Sequence, residues 1–345
     1  MKRFASLVLA ALMLTSLTAC GETKNNTKTV YAMDTVMNLT ACGADSDAAL
    51  TEAEELLYAL DRLLDRHDTD SAVSALNRSG YTEDAALVQL IQDAVYLSEE
   101  TDGAFDPTLA GVLEAWGFGT EHPRVPPEDE LARLLEKAGA ENVSVSDDTT
   151  SVTLAPGTQI DLGGIAKGYA GDCVKEIFEN HGCTGVIDLG GDVVFAGTKE
   201  DGSPWRIAVK DPNEPSDFLG TLSVSNECAV VTSGVYERNF TENGVTYHHI
   251  LDPETGKSAE SGLVSVTVIC GYGEAADALS TALFVMGAEK AAAQYHAMSE
   301  TANDFEMLLV TDDGRVLYTP GLDGKFEPNT ESGYTYEELP PAHAR

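Results

Sequence analysis

Apolar residues recur at helical spacing in DSDAALTEAEELLYALDRLLD (45–65), where Leu50, Leu57, Leu60 and Leu64 fall on one side behind an Asp/Ser start. That pattern predicts a helix. A second is expected over 84–103, ending at a glycine, and a third over ELARLLEKAGA (130–140). GIAKGYAGDCVKEIFENHG (164–182) predicts a helix with a glycine-rich first turn, and GEAADALSTALFVMGAEKAAAQYHAM (273–298) predicts another. TVYAMDTVMNLTA (29–41) has strand character, and NVSVSDDTTSVTLAPGTQID (142–161) reads as a hairpin turning at Asp147-Asp148. From 185 to 272 strands dominate, and Asn243-Gly244 marks a two-residue hairpin turn. FEMLLVTDDGRVLYTP (305–320) is expected to form a closing hairpin. Helices mixed with hairpins predict an α+β fold with largely antiparallel sheets rather than a doubly wound parallel sheet.

The ends read differently. MKRFASLVLAALMLTSLTAC pairs Lys2 and Arg3 with a short apolar run, which predicts a secretory signal over 1–19. Leu17-Thr18-Ala19-Cys20 resembles a bacterial lipobox, so Cys20 is the expected lipidation site. Residues 20–28 read as a polar tether, 29–325 as one domain, and 326–345 as an acidic flexible tail. The expected location is therefore outside the cytoplasm, held to the outer face of the cell membrane, or periplasmic, through lipid only.

Charge narrows the partners. Lys and Arg number 21 against 57 Asp and Glu, a net charge of −36, which excludes nucleic acid as a ligand. A polyanionic ligand would need a local cation. With Cys20 lipidated, the remaining cysteines (42, 173, 183, 228 and 270) have no metal-type spacing and argue against a disulfide scaffold or zinc.

Three constellations carry candidate chemistry. IDLGG occurs at 160–164 and again at 187–191, each at a strand end, where paired glycines permit close backbone approach. The first copy runs into a helix start bearing Lys167, a phosphate cradle by composition though not a Walker A motif. Asp277 and Thr281 stand four apart on one helix face, where a surface-facing carboxylate and a hydroxyl offer oxygen ligands for Mg²⁺. The same spacing equally suits a dipole-stabilising Asp and an interface Thr. In GAFDPTLAGVLEAWGFG (103–119), Phe105 offers a stacking face for a planar ring, or a core anchor.

Together these stretches resemble the FAD:protein FMN transferases, the ApbE-type flavin transferases, over residues 30–320. The segments AMDTVM, GAFDPT…WGFG, DLGGIAKGYAGD, IDLGGDV, HHILDPETG and DALSTAL stand in that family's order. The resemblance implies that Met33, Ala104, Phe105, Asp106, Asp161, Lys167 and Leu251 contact FAD. It implies Mg²⁺ on Asp277, Thr281 and the carbonyl of Gly164. His249, in VTYHHILDPETGKSAESG (245–262), is the candidate base, and neighbouring His248 leaves open which ring enters the site. Many members read S-x-Y after the first helix. Here Asp65-Arg66-His67 stands instead, with His67 as the candidate replacement for the tyrosine.

The implied reaction moves FMN from FAD to a Thr or Ser hydroxyl on an exported or membrane redox protein, releasing AMP. Family acceptors carry a short motif ending like S/T-G-A-T/S. Two other readings stay open on the sequence: an FAD pyrophosphatase giving free FMN and AMP, and a non-catalytic flavin-binding lipoprotein.

Overall fold

The computed structural model describes residues 25–214, 216–224, 227–298 and 304–339. The signal segment and Cys20 lie outside them. The chain opens with a hairpin, β1 (Asn25–Ala32) and β2 (Thr35–Cys42), followed by α1 (Ser46–Leu64), α2 (Ala72–Ser79), β3 (Tyr81–Thr82), α3 (Ala85–Glu100), α4 (Ala110–Trp116) and α5 (Glu128–Leu135). Next come the hairpin β4 (Val143–Val145) and β5 (Val152–Leu154), then α6 (Ala166–Asn180), β6 (Thr184–Asp188) and β7 (Val193–Ala196). A strand-rich stretch holds β8 (Trp205–Lys210), β9 (Phe218–Val224), β10 (Cys228–Gly234), β11 (Asn239–Glu242), β12 (Val245–His248) and β13 (Leu263–Cys270). The chain finishes with α7 (Gly273–Met298), β14 (Phe305–Thr311), β15 (Arg315–Tyr318), β16 (Phe326–Pro328) and β17 (Thr335–Glu338).

Nine strands form one sheet in the order β1-β2-β6-β7-β10-β13-β14-β15-β17, antiparallel except for the last pair. The expected α+β class with mostly antiparallel pairing is what folds. Helices α1, α6 and α7 cover one face through a core that includes Leu57, Phe178, Leu279 and Phe284. The opposite face carries the small sheet β16-β9-β8, joined through Phe195, Val230 and Leu308 on one side and Leu219, Leu222 and Phe326 on the other. A satellite cluster of Leu109, Val112, Trp116, Phe118, Leu131 and Leu251 seals the third side.

Helix α7 is buried nearly all round from Ala275 to Phe284, and its alanines let neighbours approach closely. It is not continuous. Gly287 breaks it with φ 74° and ψ 169°, a conformation glycine takes readily, and a Cβ there would also stand 2.9 Å from the Ser261 carbonyl oxygen.

Two expectations about the ends are corrected. Residues 25–28 are not a tether but part of β1, paired from Asn25↔Cys42 onward. The Asn26 amide ties this polar stretch to Ser46 Oγ at 2.9 Å and Asp47 Oδ1 at 2.7 Å. The tail is likewise built into the fold as far as residue 339. Phe326 and Leu339 are buried, and the Tyr336 hydroxyl donates to the Leu219 carbonyl at 2.6 Å. The acidic composition masked these three apolar anchors.

Candidate active site

The three apolar clusters meet around one cleft of about 850 Å³, in the size range of a small-molecule or cofactor site. Its walls come from α1 and the loop after it, the 104–113 segment, the two IDLGG turns, β8, β10, the 249–253 loop and α7.

The two IDLGG copies use one device. Asp161 Oδ1 accepts the Gly163 N–H at 2.7 Å, and Asp188 Oδ1 accepts the N–H groups of Gly190 and Gly191 at 3.2 and 2.9 Å. Each Asp folds its own glycines into an Asx turn. Only the second copy needs positive φ, at Gly190 (82°) and Gly191 (107°). The first copy leads directly into α6. There Gly168 lies so close to α7 that a Cβ would fall 2.0 Å from the Gly273 carbonyl oxygen. This contact brings the first turn of α6 against that of α7. Asp172 completes the junction by accepting the N–H groups of Gly273 and Glu274 at 2.9 and 3.0 Å, capping α7.

Asp277 is thereby placed in the cleft wall at 4% exposure, with Oδ2 accepting the Gly168 N–H at 3.0 Å. It is therefore buried, not surface-facing as expected, and it also ties two helices together. Thr281 lies one turn on and also lines the cleft, with its hydroxyl 3.3 Å from Ser233 Oγ. A Cβ on Gly164 would sit 3.7 Å from Thr281 Oγ1 and 3.2 Å from the Phe105 ring, so the first IDLGG turn abuts both. Among the described residues no group of three or more His, Cys, Asp or Glu side chains is arranged to hold a metal ion. One free carboxylate oxygen, a hydroxyl and a nearby backbone turn are hard donors that suit an ion completed by water and phosphate, which is how Mg²⁺ binds.

The cleft contains Met33, His67, Ala104, Phe105, Asp106, Asp161, Gly164, Lys167, His249, Leu251, Asp277 and Thr281, so the structure gathers the expected flavin, metal and base residues in one place, while Cys20 lies outside the described residues. Met33 occupies the β1–β2 turn with φ 50°, and Asp34 follows at 60°, an uncommon conformation for a residue as bulky as Met. The Met33 N–H donates to Asp61 Oδ1 at 2.8 Å, which holds the turn toward the cleft. Asp106 is half-buried, and desolvation pushes its carboxyl up, opposed by hydrogen bonds from Thr108. Phe105 is a cleft-wall and core residue at once, at 4% exposure. Lys167 lines the cleft with its ammonium ion-paired to Asp192, which partly offsets its charge.

The 249–256 loop is a closed corner. The Asp252 N–H donates to the Lys257 carbonyl and the Gly256 N–H to the Asp252 carbonyl, both at 2.8 Å. Trp116 Nε1 donates to the Gly256 carbonyl at 2.7 Å, pinning the corner to α4. Between the two histidines the geometry is decisive: His249 lines the cleft, whereas His248 is buried edge-on against Phe284. His249 Nδ1 lies 3.3 Å from the Arg238 carbonyl, which can only accept. That bond fixes the proton on Nδ1 and leaves Nε2 as an acceptor. Burial, reinforced by the Arg238 charge, holds the imidazole pKa down to about 4.

Several cleft residues were not legible beforehand. Arg66 Nε is ion-paired with Asp161 Oδ2. Lys210 stands 4.9 Å from the Tyr236 ring centre. Glu237 is pushed up by burial, offset mainly by Lys167. Eight carboxylates (Asp34, Asp61, Asp65, Asp106, Asp161, Asp188, Glu237, Asp277) line the cleft against the four cations Arg66, Lys167, Lys210 and Arg238. Such a wall repels a pyrophosphate unless a further cation enters with it.

A partly apolar cleft with oxygen donors, one glycine turn at the start of α6, a second between β6 and β7, and a neutral histidine has the makings of a nucleotide site on an α+β scaffold. The ApbE family model matches residues 33–304, and the chain belongs to that family. It is 34% identical to the FAD:protein FMN transferase of Treponema pallidum over 298 residues, 81% of each chain. It is also 34% identical to that of Vibrio cholerae over 280 residues, covering 79% of this chain and 82% of the relative. The crystal structure of the Thermotoga maritima ApbE protein superposes with a TM-score of 0.81 at 34% identity, covering 88% of this chain and 99% of that one. The apo flavinyl transferase ApbE of Pseudomonas stutzeri gives 0.76 at 29% identity, covering 88% and 97%.

Proposed function

We propose that this chain transfers the FMN half of FAD to a Thr or Ser hydroxyl of another exported or membrane redox protein, with Mg²⁺ required. The carrying observation is convergence: His249, Lys167 and Asp277, from three separate elements, line one cleft in a chain of the ApbE family. The hydroxyl oxygen attacks the phosphorus on the FMN side of the pyrophosphate. The P–O bond to the AMP phosphate breaks, AMP carries off the bridging oxygen, and the hydroxyl proton moves to His249 Nε2. Phosphoryl transfer depends on alignment and charge neutralisation more than on covalent help. Asp277, Thr281 and the Gly164 turn would hold Mg²⁺, which would supply neutralisation of the pyrophosphate charge.

This chain's own residues do the rest. Gly163 and Gly164 leave the backbone open beside the phosphates, and Phe105 and Leu251 give the flavin apolar walls. His67 stands where relatives with S-x-Y place a tyrosine, next to Arg66, which holds Asp161. The test is incubation with FAD, Mg²⁺ and soluble fragments bearing an S/T-G-A-T/S sequence, read by intact mass. We further propose that the protein is exported and lipid-anchored through Cys20. Cys20→Ser should leave the membrane fraction after a salt wash; retention there counts against the anchor.

A further inference from the structure

We infer that the free edge of β8 is the docking rail for the acceptor, which adds an extended segment to the β16-β9-β8 sheet alongside the cleft. This rests on the transferase reading above. Backbone direction follows from the hydrogen bonds on the far side. The Ser223 N–H donates to the Lys325 carbonyl at 2.8 Å and the Asn329 N–H to the Leu219 carbonyl at 2.7 Å, so alternate residues of β9 (219, 221, 223) face β16. The intervening residues Gly220, Leu222 and Val224 must then face β8, opposite Val209, Ile207 and Trp205. The main-chain N–H and C=O groups of Arg206 and Ala208 consequently point away from β9. Among the described residues no strand pairs with β8 on that side.

This edge borders the site. Ile207, Ala208, Val209 and Lys210 all line the cleft, although neighbours in a strand point to opposite faces. Consecutive residues lining one cavity fit a strand that presents its edge to it, with the bulge between Val209 and Lys210 turning the last of them. A row of unpaired N–H and C=O groups is complementary to another polypeptide backbone, and strand addition is a recurrent way to bind one. Charge favours the same occupant only through Lys210. Arg206 is already ion-paired with Glu327 on β16. Lys210, over the Tyr236 ring, is in no ion pair among the described residues and lowers the repulsion toward a neutral or acidic segment in a chain of net charge −36. A hydroxyl residue on the added strand would enter the cleft that contains His249.

Proline at position 208 removes an outward N–H while leaving the β8–β9 ladder intact, the one kind of strand position that tolerates it. With a soluble fragment carrying S/T-G-A-T/S, FAD and Mg²⁺, Ala208→Pro should raise the acceptor KM about tenfold or more, a larger factor than any change in the KM for FAD. Ala208→Ser, which keeps the N–H, should behave as wild type. In the unmutated chain, amide exchange over Trp205–Lys210 should slow when a Thr→Val form of the fragment is added. This second measurement stands even if the proline variant fails to fold. An unchanged acceptor KM in folded Ala208→Pro, or no protection of Trp205–Lys210 by a fragment whose Thr form is modified, overturns the docking rail alone. A wild-type chain that binds FAD yet modifies no fragment overturns the transferase reading and this inference with it.

Discussion

Asp277 Oδ2 accepts the backbone N–H of Gly168 at 3.0 Å, linking α7 to the first turn of α6. The carboxylate therefore has two tasks. One oxygen holds two helices together, and the other is left to face the cleft.

The two tasks separate by mutation. Asp277→Ala removes both and leaves the buried Gly168 N–H without an acceptor, at a cost of about 1–3 kcal/mol. Asp277→Asn keeps an oxygen for Gly168 but loses the charge. Thermal melts should show the alanine variant clearly destabilised and the asparagine variant near wild type, while both lose Mg²⁺-dependent FMN transfer. Full transfer by folded Asp277→Asn would remove Asp277 from the metal site.

Gly168→Ala tests the helix junction itself. The added methyl falls 2.0 Å from the Gly273 carbonyl oxygen, which belongs to backbone and cannot swing aside. Overpacking of this kind costs about 1–3 kcal/mol, and the shift also moves Lys167 relative to Asp277. Loss of melting temperature together with loss of transfer is expected; an unshifted melt with full activity would mean the helices separate freely.

For His249, the sequence suggests an acid limb near the ordinary imidazole pKa of about 6.5. Burial and the Arg238 charge lower that value to about 4, so the ring stays neutral through physiological pH. The neutral form is the one that accepts a proton. The acceptor-dependent rate should hold level from pH 8 to 5 and fall only as pH approaches about 4. His249→Asn should lower turnover by about 10²–10⁴ with FAD affinity little changed. His248→Asn, altering a buried packing residue, should act on stability instead.

Glu274, in the first turn of α7, has its pKa pushed up to about 7 by burial, with Asp93 and Asp172 adding repulsion. Between about 4.5 and 7 the folded state holds a proton that the unfolded state has lost, so stability falls as pH rises through that window. Glu274→Gln removes the penalty. Its melting temperature should exceed wild type at pH 8 by about 2–4 °C and match it at pH 4.5. An equal gain at both values would point to a cause other than ionisation.

Periodicity made much of this legible. The Leu50–Leu64 pattern folds as α1, and the Asn243-Gly244 hairpin turns with φ of 52° and 81°. The Asp277–Thr281 spacing does put both side chains on the cleft. Helix α2 was not read, because its eight residues bury only Val73, Ser74 and Leu76, although Ser71 gives a capping signal. What sequence could not give were partnerships across the chain. Nothing near Lys167 foretells Asp192, nor anything near Asp161 foretells Arg66 as an ion-pair partner. The ordered tail was missed for a similar reason. Phe326 and Tyr336 find their partners on β9, more than a hundred residues earlier.

The most direct test of the account is the mass of an acceptor. A soluble fragment carrying S/T-G-A-T/S, incubated with this chain, FAD and Mg²⁺, should gain one FMN phosphoester on its Thr or Ser, with one AMP released per modified fragment and none in EDTA. Release of AMP and free FMN with the fragment unmodified, or FAD bound without any AMP, would contradict it.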